Sequence, residues 1–300
     1  MPAPIAVGMD IGGTHLRAGI VDENGHVQHF THVATRHASN AELVTQIGDI
    51  LATFPPHLPV GIAIAGLVDA TGTLQTSPNL PQITYPLPLA QTLTERCQRR
   101  VVVGNDASYA ATAEHRFGAG QNVSSMLMVT IGTGVGAGIV MDSKLVTGQN
   151  GFAGEFGHMR LSALPDVGET GSETVETYLS GTGIAARANR HRDGQELRTE
   201  DIVGLANAGD TAALALLHDA GQVLGIALAN VVNLLDVAVC VIGGGAGVGL
   251  WPFISSAASE TLSSYLLGGV NVRQPPPLRL AVLGDTAGVI GAAVTAANQG

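Results

Sequence analysis

The apolar residues of this chain form short runs that end at glycine or at a turn signal, the pattern typical of buried β-strands. Strands are predicted over 5–11, 16–21, 27–33, 60–65, 101–103, 126–131, 135–140, 237–242 and 278–282. Apolar positions at helical spacing predict helices over 39–51, 107–117, 211–235, 251–267 and 287–297. Strands that alternate with helices indicate an α/β fold.

The two halves of the chain open with the same strand–glycine–strand pattern. Ile11-Gly12 is followed by Ala18-Gly19-Ile20-Val21, and Ile131-Gly132 is followed by Ala137-Gly138-Ile139-Val140. This repeat predicts two related domains, each of which begins with a hairpin that turns on glycine. The predicted boundary follows the helix that ends near Phe117. It gives a small N-terminal α/β domain, 1–117 plus a C-terminal helix 286–300, and a larger domain, 118–285.

Composition narrows the class of protein. Of 300 residues, 45% are apolar and 13% charged, so the chain is neither disordered nor a coiled coil. The formal net charge is −10, whereas a polyanion partner needs a basic surface, so nucleic acid and anionic membranes are not expected partners. The most apolar helical stretch is interrupted by Asp219, Gln222, Asn230 and Asn233, which argues against a membrane span.

Cysteine usage and the N-terminus predict a cytoplasmic protein. The two cysteines, Cys97 and Cys240, make no disulfide framework and are expected to be reduced. The first residues lack a basic region followed by an apolar run, so no signal peptide is expected.

The first glycine turn contains Asp10, Gly12, Gly13 and Thr14. Glycines at a strand end let backbone N–H groups point at one anion, and Thr14 adds a hydroxyl donor. Asp10 is placed to hold a hydrated Mg²⁺ beside phosphates. The alternative is a hairpin turn that needs glycine for its shape alone. The lysine of a P-loop is absent, and a hairpin rather than a helix follows, so this is not a dinucleotide fingerprint.

Two further glycine turns lie in the second half of the chain. They comprise Gly132, Thr133 and Gly134, and Gly243, Gly244 and Gly245. The former occupies the position that matches the first turn, and two such turns facing one cleft would hold a polyphosphate from both sides. The latter ends a buried strand and leaves space for a flat group such as adenine, although a flexible loop is the alternative.

Polar residues near strand ends are candidates for chemistry. Asp106 follows the strand 101–103, where a carboxylate is placed either to accept a hydroxyl proton or to cap a helix. Asn79 lies in a proline-rich loop, where it either bonds a polar ligand or makes a turn. Glu155, His158 and Glu176 are too few and too loosely spaced for a metal site, whereas they suit recognition of hydroxyl groups.

These motifs together resemble the ROK sugar kinases and repressors, part of the actin-like, hexokinase-like ATPase superfamily. The resemblance covers nearly the whole chain, and its markers are the three glycine turns, Asn105-Asp106, residues 154–158, and Glu176 with Ser180-Gly181. It implies a two-domain actin-like (ribonuclease H-like) fold with duplicated mixed sheets, flanking helices and an inter-domain cleft. It also implies ATP and Mg²⁺ as cofactors and a homodimer.

The resemblance implies roles for individual residues. Asp106 would be the general base, ATP would lie on the glycine turns, and Asp10 would hold Mg²⁺ through water. The residues expected to bind sugar hydroxyls are Asn79, Asn105, Glu155, His158 and Glu176.

Two features depart from the family pattern. Many members carry a zinc-binding Cys-x-Cys-Gly-x-x-Gly-Cys segment just before the Glu, where this chain has Val167, Glu169 and Thr174 at the cysteine positions. No structural zinc is therefore expected, and packing or hydrogen bonds must hold His158. The repressors carry an N-terminal helix-turn-helix module, for which a first strand at Ile5 is expected to leave no space.

The resulting hypothesis is ATP-dependent phosphorylation of a sugar hydroxyl, the 6-hydroxyl of a hexose or N-acetylhexosamine. Residues 155–161 look like the bacterial N-acetylglucosamine kinases, which favours N-acetyl-D-glucosamine. Residues 14–17 and 77–81 look more like the allose kinases, and glucose, fructose and N-acetylmannosamine are further alternatives. A non-catalytic sugar sensor and a kinase for an acyl or other acceptor are the rival classes.

Overall fold

The computed structural model describes residues 2–161, 174–190, 196–269 and 271–298. Its contacts divide the chain into two compact units. Unit 1 comprises Met1–Asn122, Gly138–Gly154 and Val282–Gly300, and unit 2 comprises Val123–Ala137 and Glu155–Ala281. Residues 138–154 thus lie in unit 1, whereas the sequence-based boundaries assigned them to the second domain. No break in the hydrophobic pattern marks this division.

Unit 1 is built on a five-stranded sheet of order β3-β2-β1-β4-β7. Its elements are β1 (Pro4–Ile11), β2 (His15–Asp22), β3 (Val27–Ala34), α1 (Asn40–Leu51), β4 (Val60–Ile64), β5 (Leu67–Val68), β6 (Leu74–Thr76), α2 (Leu89–Cys97), β7 (Val101–Asn105), α3 (Asp106–Phe117) and, at the C-terminus, α9 (Ala287–Asn298). Helices α1 and α2 contribute Leu43, Ile47 and Leu93 to its core. Helix α9 lies so close to the sheet that a Cβ at Gly8 would fall 1.9 Å from the Val289 carbonyl oxygen, so glycine is required there.

Unit 2 combines most of the second sheet with a group of helices. This sheet has the order β10-β9-β8-β11-β12. The elements of unit 2 are β8 (Met126–Ile131), the first residues of β9 (Val135–Met141), α4 (Val175–Leu179), α5 (Gly181–Asn189), α6 (Thr199–Asn207), α7 (Thr211–Leu235), β11 (Val239–Gly243), α8 (Gly245–Tyr265) and β12 (Leu278–Leu280). The rest of β9 and all of β10 (Lys144–Leu145) fall within the residues of unit 1. Two 3₁₀ turns, Phe156–His158 and Gly284–Thr286, complete the described elements.

The two sheets have one topology. In the first, β1 pairs antiparallel with β2 and parallel with β4, and β2 and β4 are in turn paired with β3 and β7. In the second, β8 lies between β9, to which the short turn at 132–134 joins it, and β11, with which it pairs parallel, and β9 and β11 are paired with β10 and β12. The predicted duplication is therefore confirmed, and the glycine turns at 12–14 and 132–134 occupy equivalent positions.

Helix α7 is the one helix in the described part of the chain whose length and composition would let it cross a membrane. Half of its most apolar window is nevertheless buried inside the protein. Gly221 and Gly225 pack on α8, where an added Cβ would lie 2.6 Å from the carbonyl oxygens of Ile254 and Ala258. Such close packing is that of a core helix, as the interrupted hydrophobic pattern predicted.

A fully buried carboxylate joins α3 to the segment that leads into α9. Glu114 Oε1 accepts hydrogen bonds from the backbone N–H groups of Val282 and Leu283, and Oε2 accepts one from Ala119, each at 2.8 Å. A Cβ at Gly118 would lie 2.0 Å from Oε2, so a larger residue there would displace the carboxylate from this position. Sequence analysis missed Glu114, because two of its partners are 168 and 169 residues away.

Replacing Glu114 with alanine should remove the buried carboxylate that accepts hydrogen bonds from the backbone N–H groups of Val282, Leu283 and Ala119. We expect the free energy of unfolding to fall by about 3 kcal/mol, measured by urea denaturation. The exposed Glu95→Ala change is the control and should cost less than about 0.5 kcal/mol. A small and equal effect of both substitutions would contradict the role assigned to Glu114.

Candidate active site

The first glycine turn joins β1 to β2 and presents two adjacent N–H groups. The Gly12 N–H closes the turn on the His15 carbonyl at 2.9 Å, so it is not available to a ligand. The carbonyl oxygen of Gly12 accepts a hydrogen bond from Thr35 Oγ1, and that of Gly13 lies 3.1 Å from His37 Nε2. Among the described residues, the N–H groups of Gly13 and Thr14 have no acceptor, so they remain available to an anion.

The second glycine turn repeats this arrangement in unit 2. The Gly132 N–H closes the turn on the Gly134 carbonyl at 2.9 Å. Helix α5 holds the carbonyl groups, because Gly181 N–H donates to Gly132 O at 2.8 Å and Thr182 Oγ1 donates to Thr133 O at 2.6 Å. The N–H groups of Thr133 and Gly134 have no acceptor in the part of the chain that the structure describes.

The third glycine turn opens onto a cavity of about 950 Å³ in unit 2. Gly244 has φ +82°, and a Cβ there would lie 2.3 Å from the Ile131 carbonyl oxygen, so this position requires glycine. Gly245 begins α8 and, together with Gly132 and Thr133, lines the cavity. The prediction that this helix begins at residue 251 was wrong by six residues, because its glycine-rich first turns look like a loop in sequence.

Asn105 and Asp106 divide two tasks at the junction of β7 and α3. Asn105 caps the helix, since its Oδ1 accepts the Ser108 N–H at 3.0 Å, and its amide donates to Gly66 O and Asp106 Oδ1. Asp106 Oδ1 also accepts the Ala107 N–H at 2.8 Å. No hydrogen bond reaches Asp106 Oδ2 from the described residues. Capping therefore does not occupy this oxygen, which is available to a substrate hydroxyl.

Two carboxyl groups with raised pKa values lie in this part of unit 1. Burial raises the pKa of Asp106, and hydrogen bonds from Ala107 and Asn105 partly oppose the rise. Burial, followed by the negative charge of Asp106, raises the pKa of Asp10 to about 7. Arg17 opposes this second shift, because its Nη1 lies 3.7 Å from Asp10 Oδ2 across the β1–β2 pair. Raised carboxyl pKa values of this kind cluster at functional sites.

Asn79 reaches the first glycine turn through its own backbone. A Cβ at Gly13 would lie 2.4 Å from the Asn79 carbonyl oxygen, so the loop rests directly on the turn. The Asn79 side chain is exposed. The structure therefore brings together Asn79, Gly13 and Thr14, which sequence analysis had assigned separately to sugar and phosphate.

Glu176 and the 3₁₀ turn that carries His158 pack on Val135, which immediately follows the second glycine turn, and Glu155 lies beside His158. Glu176 Oε2 accepts the Val135 N–H at 2.8 Å. A Cβ at Gly157 would lie 2.3 Å from the Val135 carbonyl oxygen, so the 3₁₀ turn that carries His158 packs directly on this residue. His158 Nε2 lies 3.7 Å from Glu155 Oε2, and 70% of the His158 side chain is exposed.

Backbone pairing also holds the His158 segment. Val175 N–H donates to Met159 O at 3.0 Å, and Arg160 forms an isolated bridge with Thr174. Among the residues expected to replace the family's zinc ligands, Val167 and Glu169 lie outside the described residues. The contacts through Val135, Met159 and Val175 hold the backbone of the segment that carries His158.

The donor set of unit 1 fits Mg²⁺ bound partly through water. Within the described ranges, no group of three or more His, Cys, Asp or Glu side chains forms a metal cage. Mg²⁺ in phosphoryl-transfer enzymes usually keeps several waters and uses one or two carboxylates with substrate phosphates. Asp10, beside the Gly13 and Thr14 N–H groups, is suited to that role.

Comparison with known proteins agrees with this geometry. The ROK family model matches residues 6–299. The glucokinase of Halalkalibacterium halodurans is 32% identical over 95% of this chain and 92% of its own. The N-acetyl-D-glucosamine kinase of Salmonella heidelberg is 32% identical over 95% of this chain and 97% of its own. The ROK family glucokinase from Streptomyces griseus, crystallised with glucose and AMPPNP, has a TM-score of 0.77 and 32% identity, covering 98% and 99% of the two chains.

Duplicated mixed sheets with flanking helices, together with relatives named glucokinase and N-acetyl-D-glucosamine kinase, define an ATP-dependent carbohydrate kinase of the actin-like ATPase fold. This confirms the fold class that the resemblance implied. The chain belongs to the ROK family.

Proposed function

We propose that this protein transfers the γ-phosphate of ATP to the 6-hydroxyl of a hexose or N-acetylhexosamine, with N-acetyl-D-glucosamine as the favoured substrate. The observation that carries the proposal is the environment of Asp106, whose Oδ1 is fixed by hydrogen bonds while Oδ2 is left for a substrate. Relatives named glucokinase and N-acetyl-D-glucosamine kinase support the substrate class.

ATP binding is proposed on the three glycine turns. The N–H groups of Gly13, Thr14, Thr133 and Gly134 would bind phosphate oxygens, and the cavity beside Gly245 would take the nucleoside. The cavity is also lined by the N-terminal residues of α5 and α8, where helix dipoles favour negative charge. The AMPPNP complex of the Streptomyces griseus relative supports a nucleotide donor.

In the proposed reaction the sugar hydroxyl oxygen forms a bond to the γ-phosphorus, and the bond to the ADP oxygen breaks. The hydroxyl proton passes to Asp106 Oδ2, a step that commonly contributes about 10²–10⁴-fold. Bound Mg²⁺ would neutralise phosphate charge, with Asp10 as its water-mediated ligand. The raised pKa of Asp106 makes it a stronger base than an ordinary carboxylate once it is ionised.

Sugar recognition is proposed for Asn79, Asn105, Glu155, His158 and Glu176. Carboxylates suit hydroxyls because they accept hydrogen bonds from them, and amide and imidazole groups can both donate and accept. Asn105 already has protein partners at both ends of its amide, so we assign it the orientation of Asp106 as well. Glu176 similarly combines a carboxylate for the sugar with support of the second glycine turn.

A coupled ADP-release assay tests the proposal. With Mg-ATP, we expect kcat/KM to be highest for N-acetyl-D-glucosamine in a panel that also contains N-acetylmannosamine, glucose, allose and fructose. A sugar sensor would bind a sugar in calorimetry without releasing ADP. Turnover only with an acyl or other non-sugar acceptor would show that the substrate is not a sugar.

The proposal extends to the state of the protein. We propose a homodimer in the cytoplasm with sugar and Mg-ATP as its partners. Neither nucleic acid nor a membrane is proposed as a partner, which fits the charge of −10 and the buried half of α7. Light scattering after size exclusion measures the oligomeric state. A monomeric mass at micromolar concentration would remove the dimer from the proposal.

Gly12 and Gly13 provide a matched test of the first turn. In Gly13→Ala the new Cβ would collide with Asn79 O, so we expect the turn to shift and KM for ATP to rise about tenfold, the scale of one hydrogen bond to a charged group. In Gly12→Ala the nearest atom is His15 O at 3.5 Å, so KM should change less than about twofold. Equal KM values for both variants would contradict phosphate binding at this turn.

A further inference from the structure

Arg187 makes a set of contacts that the proposed chemistry does not use. It lies on α5 with 16% of its side chain exposed, and its guanidinium carbon is 4.6 Å from the centroid of the Tyr178 ring. Its Nη2 lies 3.4 Å from Asp219 Oδ2. Tyr178 is on α4 and Asp219 is on α7, so one guanidinium links three helices.

Two of these helices hold the second glycine turn from different sides. Helix α4 carries Glu176, whose carboxylate accepts the Val135 N–H. Helix α5 begins with Gly181 and Thr182, which donate to the carbonyl groups of Gly132 and Thr133. Helices of 5 and 9 residues are too short to be stable alone, so their positions depend on tertiary contacts.

We infer that Arg187 is a positioning residue for the nucleotide-binding turn at 132–134. By stacking on Tyr178, it fixes α4 relative to α5 and so keeps the Thr133 and Gly134 N–H groups turned towards a phosphate. The inference deepens the proposed function and rests on its assignment of this turn to ATP. It also explains how the segment around Glu176 is held in a chain that lacks the cysteines of the family's zinc segment.

The chemistry of the contact specifies arginine. A guanidinium is planar and permanently charged, so it can lie over an aromatic ring and pair with a carboxylate at its edge at the same time. A lysine ammonium can keep the charge but cannot stack as a plane. We therefore expect Arg187→Lys to behave more like a loss of the contact than like a conservative change.

Calorimetric binding of Mg-AMPPNP to the full chain tests the inference. We expect Arg187→Met and Tyr178→Leu each to weaken binding about tenfold, and Tyr178→Phe, which keeps the ring, to stay within about twofold of the wild type. The double variant Arg187→Met/Tyr178→Leu should bind no more weakly than Arg187→Met alone, because both substitutions remove the same stack of guanidinium on ring. In the kinase assay, the loss should appear in KM for ATP more than in kcat.

Arg273→Met is the matched control. Arg273 Nη2 donates to Val232 O and pairs with Asp236 at the end of α7, so its loss should lower stability without altering AMPPNP affinity. Wild-type affinity in a folded Arg187→Met variant, or an equal loss in Arg273→Met, would overturn the inference. If Arg187→Met does not fold, the comparison of Tyr178→Leu with Tyr178→Phe tests the inference. Equal AMPPNP affinities of these two variants would overturn it.

The same measurements separate this inference from the proposed function. Wild-type protein that binds AMPPNP but releases no ADP with any sugar would remove the proposed function. The AMPPNP affinities of the variants would still decide the role of Arg187. Normal turnover with unchanged ATP affinity in Arg187→Met would instead overturn the role of Arg187 and leave the proposed function in place. Wild-type protein that binds no AMPPNP would overturn both.

Discussion

Asp106→Asn should lower kcat by about three orders of magnitude while the protein still binds its sugar. The amide oxygen can keep the hydrogen bond from the Ala107 N–H, so the start of α3 should be preserved. The second position, now an amide nitrogen, cannot accept the hydroxyl proton, and the expected loss is that of a general base, about 10²–10⁴-fold. ADP release measures kcat, and calorimetry with the best sugar measures binding.

The control for Asp106→Asn is the same substitution at a carboxylate outside the site. Asp49 on α1 is 64% exposed and pairs only loosely with Arg96 at 3.7 Å, so Asp49→Asn should leave kcat within about twofold of the wild type. An Asp106→Asn variant with near-normal kcat would remove Asp106 as the base. A variant that loses sugar binding and turnover together would instead assign Asp106 to binding alone.

The duplicated fold could be predicted because its signals are local. A buried strand that ends at glycine is visible within ten residues, so the sequence alone matches Gly12 with Gly132. The family resemblance added the ligands and residue roles, which strand and glycine patterns alone left open. The order of the strands in the two sheets then confirmed the match.

The parts of the site that sequence analysis missed depend on distant partners. Arg187 acts through a ring nine residues earlier and a carboxylate 32 residues later, and neither spacing has a sequence signature. Asn105 and Asp106 are both residue types that cap helices, so sequence could not show which of them performs that task. The hydrogen-bond partners in the structure make this assignment. Asn105 Oδ1 accepts the Ser108 N–H and so caps the helix, whereas Asp106 uses only Oδ1 and keeps Oδ2 available.

Asp10→Asn should increase stability above pH 7 and abolish most of the activity. The pKa of Asp10 is raised from 3.8 to about 7 in the folded protein, so the folded state holds this proton more tightly than the unfolded chain does. The resulting stabilisation is complete below about pH 4 and is lost as pH rises through about 7. At pH 8 the wild type contains a largely buried negative charge beside Asp106, whereas asparagine is neutral at every pH.

The size of the effect follows from the pKa rise. A rise from 3.8 to about 7 sets an upper bound of roughly 4 kcal/mol, and solvent at the partly exposed carboxyl reduces it, so we expect a gain of about 2 kcal/mol at pH 8. Urea unfolding at pH 5 and pH 8 measures it, and ADP release should fall at least about 10²-fold because the charged ligand for Mg²⁺ is lost. The same dependence of stability on pH in both proteins would show that Asp10 is not the titrating group.

An Asp10→Asn variant with greater stability and full activity would show that the charge of Asp10 is not needed for phosphoryl transfer. Together the two outcomes separate the cost of burying this carboxylate from its use, because a site that keeps a destabilising charge does so only if the reaction requires it.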